Sequence, residues 1–356
     1  MSQELGRAKE AIEKHISEKN YQDISVVGNK KVVFNLLLSE SELPKKDQLI
    51  KEIEQSVKAA GFEELDVYTT KKPEESAGGG HRPLGGTANR GNITPKSPVP
   101  GIKHIVAINS GKGGVGKTTC SVNIAISLAE LGYKVGLMDA DVTGPNVHLM
   151  LGSDERPHLT ENKKVMSTEA HGIRLISMGT LVDENKPTIW RGPMLDGVIK
   201  QFLREVEWGE LDYLVVDLPP GTSDAQLTLC QNVPLDGTVI ITTPQDVALL
   251  DAKKGLRMFE KMQVPILGLI ENMSFYECSN CGHREEIFSH GGGKRAASEL
   301  GLDFLGEIPI ELKVRLGGDS GKPVTATDKN HPVSKAFKKI AEELVNKVAK
   351  VSQTAV

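Results

Sequence analysis

Two sets of residues in this chain have the types and spacing for chemistry. The first is Cys278 and Cys281, within "FYECSNCGHREEIF", at the C-x-x-C spacing that chelates a metal ion or an iron–sulfur cluster. A closed thiolate site wants four ligands, and the chain has 4 Cys in 356 residues. The other two, Cys120 and Cys230, lie apart in helical-looking segments and read as small buried hydrophobes. Spacing alone leaves zinc and an iron–sulfur cluster equally open, with His283 as a conceivable further zinc ligand and a reactive dithiol as a third reading. One chain supplies half a site.

The second set is a glycine-rich loop, "SGKGGVGKTTCSVNIAISLAE". Gly111 to Thr118 match G-x-x-x-x-G-K-[ST] between an apolar run and a helical pattern, the context that motif requires. Gly111, Gly113, Gly114 and Gly116 leave backbone N–H groups free to wrap phosphates, and the following helix turns its positive end toward them. Lys117 neutralises phosphate charge and the Thr118 hydroxyl suits Mg²⁺. The expected nucleotide contacts are Gly111, Lys112, Gly113, Gly114, Val115, Gly116, Lys117, Thr118 and Thr119. Further polar residues end other apolar runs: Asp139 and Asp141 in "LMDADVTGPN", Asp217 in "YLVVDLPPGTSD", Asn272 in "ILGLIENM". An isolated aspartate after a strand is often a helix cap. Three in register with a phosphate loop are better explained by one site.

These residues need a scaffold, and the alternation of elements supplies one. From residue 101 to 356, "HIVAIN", "KVGLMD", "IRLISM", "YLVVDL", "TVIITT" and "ILGLIEN" are short apolar runs separated by helix-length segments. They predict a mostly parallel sheet with helices on both faces, with ligands at the carboxyl ends of its strands. Residues 1–70 predict a separate small α/β domain. An opening helix carries Ala8, Ile12 and Ile16, a hairpin turns at Gly28-Asn29, a second helix places Leu49, Ile50, Ile53, Val57 and Ala60 inward, and "ELDVYTT" is a further strand. Residues 71–100, rich in Gly, Pro and polar residues, predict a flexible linker.

Composition bounds the partners. A net charge of −4 gives no general electrostatic reason to expect nucleic acid or an acidic membrane. The charged opening segment lacks a secretory apolar core, and the few cysteines suit a reducing cytoplasm, so a cytoplasmic location is expected. The C-terminal "HPVSKAFKKIAEELVNKVAK" is amphipathic, but Glu342 and Glu343 balance its lysines, so it is expected to pack on its own domain.

The second lysine in "KGGVGKT", Lys112, makes the loop resemble that of the deviant P-loop ATPases, which include Min- and Par-type proteins. That resemblance implies that Lys112 reaches across a homodimer to the partner's nucleotide. It also implies that Asp139 and Asp217 hold the magnesium shell, Asp141 positions or activates the attacking water, Pro219-Pro220-Gly221-Thr222 senses the γ-phosphate, and Asn272 reads the adenine edge. Lys112, Lys117 and Asp141 are thus the expected catalytic residues. The longer set "DADVTGPN", "WRGPM", "DLPPGTSD", "TTPQDVAL", "IENMSFYECSNCGH" and "IFSHGGG", over residues 100–345, resembles the Mrp/ApbC family of iron–sulfur carrier ATPases. This implies that Cys278 and Cys281 of two chains hold a labile, bridging [4Fe–4S] cluster, received from an assembly scaffold and delivered to apo-proteins. The runner-up is a Min/Par-like positioning ATPase with structural zinc at the cysteines. A redox ATPase using its cluster for electron transfer is a third possibility.

Overall fold

The computed structural model describes residues 3–17, 20–27, 30–38, 46–71, 96–141, 144–153, 155–158, 160, 164–180, 192–221, 223–245 and 255–354. They fall into two compact units divided between Ala88 and Asn89. The expected Gly28-Asn29 turn, most of the expected linker, and Trp190 and Arg191 of "WRGPM" lie outside the described residues.

In the first unit, helix α1 (Gln3–Glu13) and α2 (Lys46–Ala59) accompany strands β1 (Tyr21–Val27), β2 (Lys31–Leu38) and β3 (Glu64–Lys71). The strand order is β1-β2-β3, antiparallel then parallel. Ile12, Phe34, Leu36, Ile53 and Val57 are fully buried in one cluster, so the two helical stripes and the alternating strand face meet as their spacing predicts.

The second unit carries strands β4 (Ile102–Ser110), β5 (Val135–Asp139), β6 (Val165–Met166), β7 (Thr168–Ala170), β8 (Ile173–Ser177), β9 (Val206–Glu207), β10 (Leu211–Asp217), β11 (Gly237–Thr242), β12 (Ile266–Glu277), β13 (Arg284–Glu285) and β14 (Phe304–Ile310). Its helices are α3 (Lys117–Glu130), α4 (Val147–Met150), α5 (Gly192–Arg204), α6 (Asp224–Asn232), α7 (Gly292–Leu300), α8 (Leu312–Asp319), α9 (Val324–Thr327) and α10 (Pro332–Thr354). The main sheet runs β13-β12-β11-β4-β10-β5-β8-β7, with β14 also on β12. Its central pairings are parallel, and among the described residues β7 on β8 and β13 on β12 are antiparallel.

Alternation along β4 shows why these strands are apolar throughout. Val106 and Ile108 join a cluster with Ile124 and Leu128 of α3 and Phe337, Ile340 and Leu344 of α10. Ile105 and Ala107 join the opposite cluster, with Ile199 and Phe202 of α5 and Leu229 of α6. Both sheet faces are covered, so the strands are apolar along most of their length. The C-terminal helix is packed on its own unit, as expected.

Residues 96–100 correct the expected linker boundary. Val99 is buried, the guanidinium of Arg204 donates to the carbonyls of Ser97 and Pro98 at 2.6 Å each, and the backbone N–H of Ser97 donates to the Asn232 carbonyl. The proline-rich composition concealed one apolar anchor and a set of backbone acceptors.

Candidate nucleotide site and cysteine hairpin

Strand β4 lies between β10 and β11, and the glycine loop leaves its carboxyl end where the strand order changes direction. Gly114 and Gly116 both have φ of +79°, which lets the chain double back into α3. Gly116 meets a second demand, because a Cβ there would sit 2.2 Å from Asn272 Nδ2. That amide donates to the Val115 carbonyl at 2.8 Å, so β12 is tied directly to the phosphate loop.

The four residues expected at the phosphates and magnesium converge. Lys117 Nζ lies 2.9 Å from Asp217 Oδ2 and 3.5 Å from Asp141 Oδ2, with both carboxylates almost inaccessible. The Thr118 hydroxyl donates to Asp217 Oδ2 at 2.8 Å. Asp139 accepts from the Ser177 hydroxyl at 2.7 Å and from the backbone N–H groups of Asp141 and Val147. Burial, and then the charge of Asp217, push the Asp139 carboxyl up to about 7, although these hydrogen bonds oppose the rise. Burial acts to lower the Lys117 pKa, but Asp217, Asp141 and Asp139 together outweigh it and the ammonium is held above its ordinary value. The charged lysine is the counter-ion of an acid cluster.

Lys112 stands apart from that cluster. Its Nζ lies 3.5 Å from Gln245 Oε1, at the limit of a hydrogen bond, and Gln245 is also held by Thr243. Beside it, Gly221 donates its N–H to the Ser110 carbonyl, and Gln226 Nε2 lies 2.7–2.9 Å from Asn109 Oδ1 and the Pro219 and Gly221 carbonyls. Gln226 therefore clamps the Pro219–Gly221 loop to β4; Thr222 lies outside the described residues.

Sequence reasoning missed Ser121, whose hydroxyl donates to Asp217 Oδ1 at 2.6 Å, and Ser177. Ser121 was findable, one helical turn after Lys117 on the face that Asp217 meets. Gln226 carried the signal of a capping residue three places after Ser223, and its side-chain carbonyl oxygen accepts from the Ser223 N–H at 3.0 Å. Ser177 offered no signal beyond ending a strand.

A cleft of about 1010 Å³ opens beside the loop, lined by Thr119, Asn272, Met273, Phe288, Pro309 and Glu311 among others. Asn272 is thus placed between the phosphate loop and a largely apolar recess.

The cysteines cap the end of β12. Tyr276 pairs with Glu285 and Glu277 with Arg284, and Cys278 exchanges backbone hydrogen bonds with His283 and Gly282, closing a tight hairpin. Gly282 takes a φ of +71° in the turn. Cys281 is exposed and Cys278 half-buried, whereas Cys120 and Cys230 are fully buried. Backbone N–H groups of Asn280 and Cys281, together with the Cys281 thiol, hold the Cys278 thiol below its ordinary pKa, so the thiolate is favoured. Burial pushes Cys120 up to about 12 and Cys230 up to about 11. Among the described residues no group of three or more His, Cys, Asp or Glu is gathered to hold a metal ion. His283 lies instead against Glu285, at 3.7 Å.

This fold, with this loop and these acids, defines a P-loop NTPase of the ParA class. The chain belongs to the family described as the NUBPL iron-transfer P-loop NTPases, whose model matches residues 101–345. It is 41% identical over 345 residues to the iron–sulfur cluster carrier protein of Synechocystis, covering 95% of this chain and 94% of that one. It is 48% identical over 266 residues to the iron–sulfur cluster transfer protein NUBPL of Dictyostelium discoideum, covering 74% and 82%. Among solved structures, an ADP complex of a nucleotide-binding protein from Archaeoglobus fulgidus matches with a TM-score of 0.57 and 34% identity, over 66% of this chain and 92% of that chain. The cell-division ATPase MinD of Pyrococcus furiosus, with a TM-score of 0.52 and 24% identity over 68% and 98%, shares the fold. The resemblance to iron–sulfur carriers and the expected fold class are borne out. The Min/Par-like positioning reading is not favoured, since the relatives are named as carriers or transfer proteins. No helix among the described residues is long and apolar enough to cross a membrane.

Proposed function

We propose that this chain binds and hydrolyses ATP, holds a labile [4Fe–4S] cluster between the Cys278–Cys281 hairpins of two copies, and passes the cluster to apo-proteins. The observation that carries this reading is the hairpin itself. It offers two accessible thiols, one with its thiolate favoured, on the strand that also touches the phosphate loop, and no third ligand accompanies them among the described residues. A second copy related by a two-fold axis completes four thiolates.

The Thr118 hydroxyl and the Asp139 and Asp217 carboxylates are hard oxygen donors packed together, a set that fits Mg²⁺. Magnesium there would neutralise charge on the β- and γ-phosphate oxygens. Phosphate arriving at the loop draws Lys117 away from Asp217, since one ammonium is shared between two anionic partners. Asp141, which shares Lys117 with Asp217, would orient water and take its proton. Lys112, whose Nζ lies 3.5 Å from Gln245 Oε1 and not in the acid cluster of its own chain, would serve the partner's nucleotide.

Anaerobic reconstitution with iron and sulfide tests the reading. The expected result is a brown chromophore at about one cluster per two chains, absent in Cys278→Ser, with radiolabelled iron moving to an apo-acceptor. Tight zinc with no reconstitutable cluster supports the positioning reading instead, and reduction of an acceptor without iron transfer supports a redox role.

A further inference from the structure

The nucleotide cleft and the cysteine hairpin share a wall. Along β12, Asn272 holds the Val115 carbonyl, Met273 lines the cleft, and Phe275 and Tyr276 lead into the hairpin. On the returning limb, Phe288 follows Arg284 and Glu285 and lines the same cleft as Thr119 and Asn272. The chain therefore enters and leaves the thiol hairpin through residues that face the recess.

The strand between these points is irregular. Met273 has a φ of +56°, in the left-handed region that a side chain other than glycine rarely takes. The pairing of β12 with β14 shifts register between Asn272 and Tyr276. Such a bulge re-aims the strand beyond it, and here the strand beyond it ends in Cys278. The hairpin is short and exposed: β13 has two residues, and Arg284 stacks over the Phe275 ring at 3.7 Å while also lying 3.6 Å from Glu307 of β14. Little buried surface fixes its shape, so a modest push on either limb can alter it.

We propose that Met273 and Phe288 are positioning residues through which a purine nucleoside seated in the cleft sets the conformation, and hence the reactivity, of the Cys278–Cys281 hairpin. The inference rests on the reading that the cleft takes the base of a nucleotide whose phosphates occupy the glycine loop. A ligand shifts a conformational equilibrium only through contacts that differ between the two states, and the two side chains supply such contacts. The nucleoside, and not the phosphate, is the signal.

Alkylation of the metal-free full-length chain by iodoacetamide, followed cysteine by cysteine by peptide mass spectrometry, tests this. Cys120 and Cys230 are buried and serve as internal references. Saturating ADP is expected to change the rate at Cys278 and Cys281 by about fivefold or more, the low end of ordinary coupling between sites. Pyrophosphate, which fills the loop and leaves the cleft empty, is expected to change it little. In Phe288→Ala and in Met273→Gly, each at its own saturating ADP concentration, the change is expected to vanish. Glycine accepts the left-handed backbone at 273, so that variant keeps the strand and removes only the side chain. ADP binding with unchanged alkylation in the wild type, an equal effect from pyrophosphate, or an effect that survives in a folded variant overturns the proposal. A shift that grows with protein concentration also overturns it, because pairing of chains is then its cause. Failure of the wild type to bind ADP at all sinks the nucleotide reading itself, a distinct result.

Discussion

At the phosphate loop the enclosed ammonium of Lys117 serves two purposes, and they can be separated by measurement. It neutralises Asp217 and Asp141 in the ligand-free protein and would meet phosphate in the loaded one. Removing one partner from a buried ion pair typically costs about 3–5 kcal/mol, because the remaining charge is stranded. Lys117→Ala is therefore expected to lower stability to urea by about that amount. An unchanged urea midpoint would show that the lysine is only a phosphate ligand. Asp139 gives a pH signature in the metal-free protein. Its folded-state pKa stands at about 7 against an ordinary 3.8, so across that window the folded chain holds a proton that the unfolded chain has lost. The Asp139 contribution to stability is then complete below that window, falls as pH rises through it, and levels above about 7. Asp139→Asn lacks this titration, so the stability of the variant relative to wild type should climb between those pH values; parallel profiles in urea melts would refute the burial argument. The motif residues at this scale were legible in the sequence because phosphate chemistry restricts their types and order. Ser177 and Gln245 were not, since a serine or glutamine at the end of a strand has no distinguishing pattern until its neighbour is known.

Among the elements, β12 does the most. It carries Asn272 at the loop, a left-handed Met273 and the cysteine hairpin at its tip. Gly116 is the other side of that junction. Gly116→Ala must hold a left-handed φ, costing roughly 1–2 kcal/mol, and must also displace the Asn272 amide. Gly132→Ala provides the comparison, because Gly132 has a φ of +95° but nothing lies within 4 Å of a Cβ there. Both variants should lose thermal stability, while only Gly116→Ala should also lose ADP affinity by calorimetry. Equal ADP binding in the two would mean that the Asn272–Val115 contact is dispensable. The strands themselves were readable as continuous apolar runs, and the hairpin as a turn around C-x-x-C. The bulge was hidden, since a β12 register shift depends on how β14 pairs with it. Residues 96–100 were misassigned for a similar reason: their fixed position depends on Arg204, distant in sequence.

For the molecule as a whole, the open question is what two copies do that one cannot. Each chain presents one exposed and one half-buried thiol in its hairpin and a Lys112 outside its own acid cluster. If both are completed by a partner, Lys112→Ala should bind ATP with little loss yet hydrolyse it about 10³-fold more slowly, the scale set by a charge supplied to phosphoryl transfer from another subunit. Turnover at the wild-type rate would count against a lysine acting in trans. Native mass measurement of the cluster-loaded protein should likewise find two chains per cluster, and a loaded single chain would overturn the bridging arrangement.

The sequence by itself determined the phosphate loop, the acids that follow the strands, the C-x-x-C pair and the alternation that builds a sheet covered on both faces. Each of these depends on local spacing or on residue types that few structures permit. Tertiary structure alone decided that Lys117 lies folded onto Asp217 and Asp141, that Ser121 and Ser177 orient Asp217 and Asp139, and that one strand joins the nucleotide cleft to the thiols. Those relations are set by packing between segments far apart in the chain, where burial changes charge and a neighbour's backbone fixes direction, and no local pattern records them.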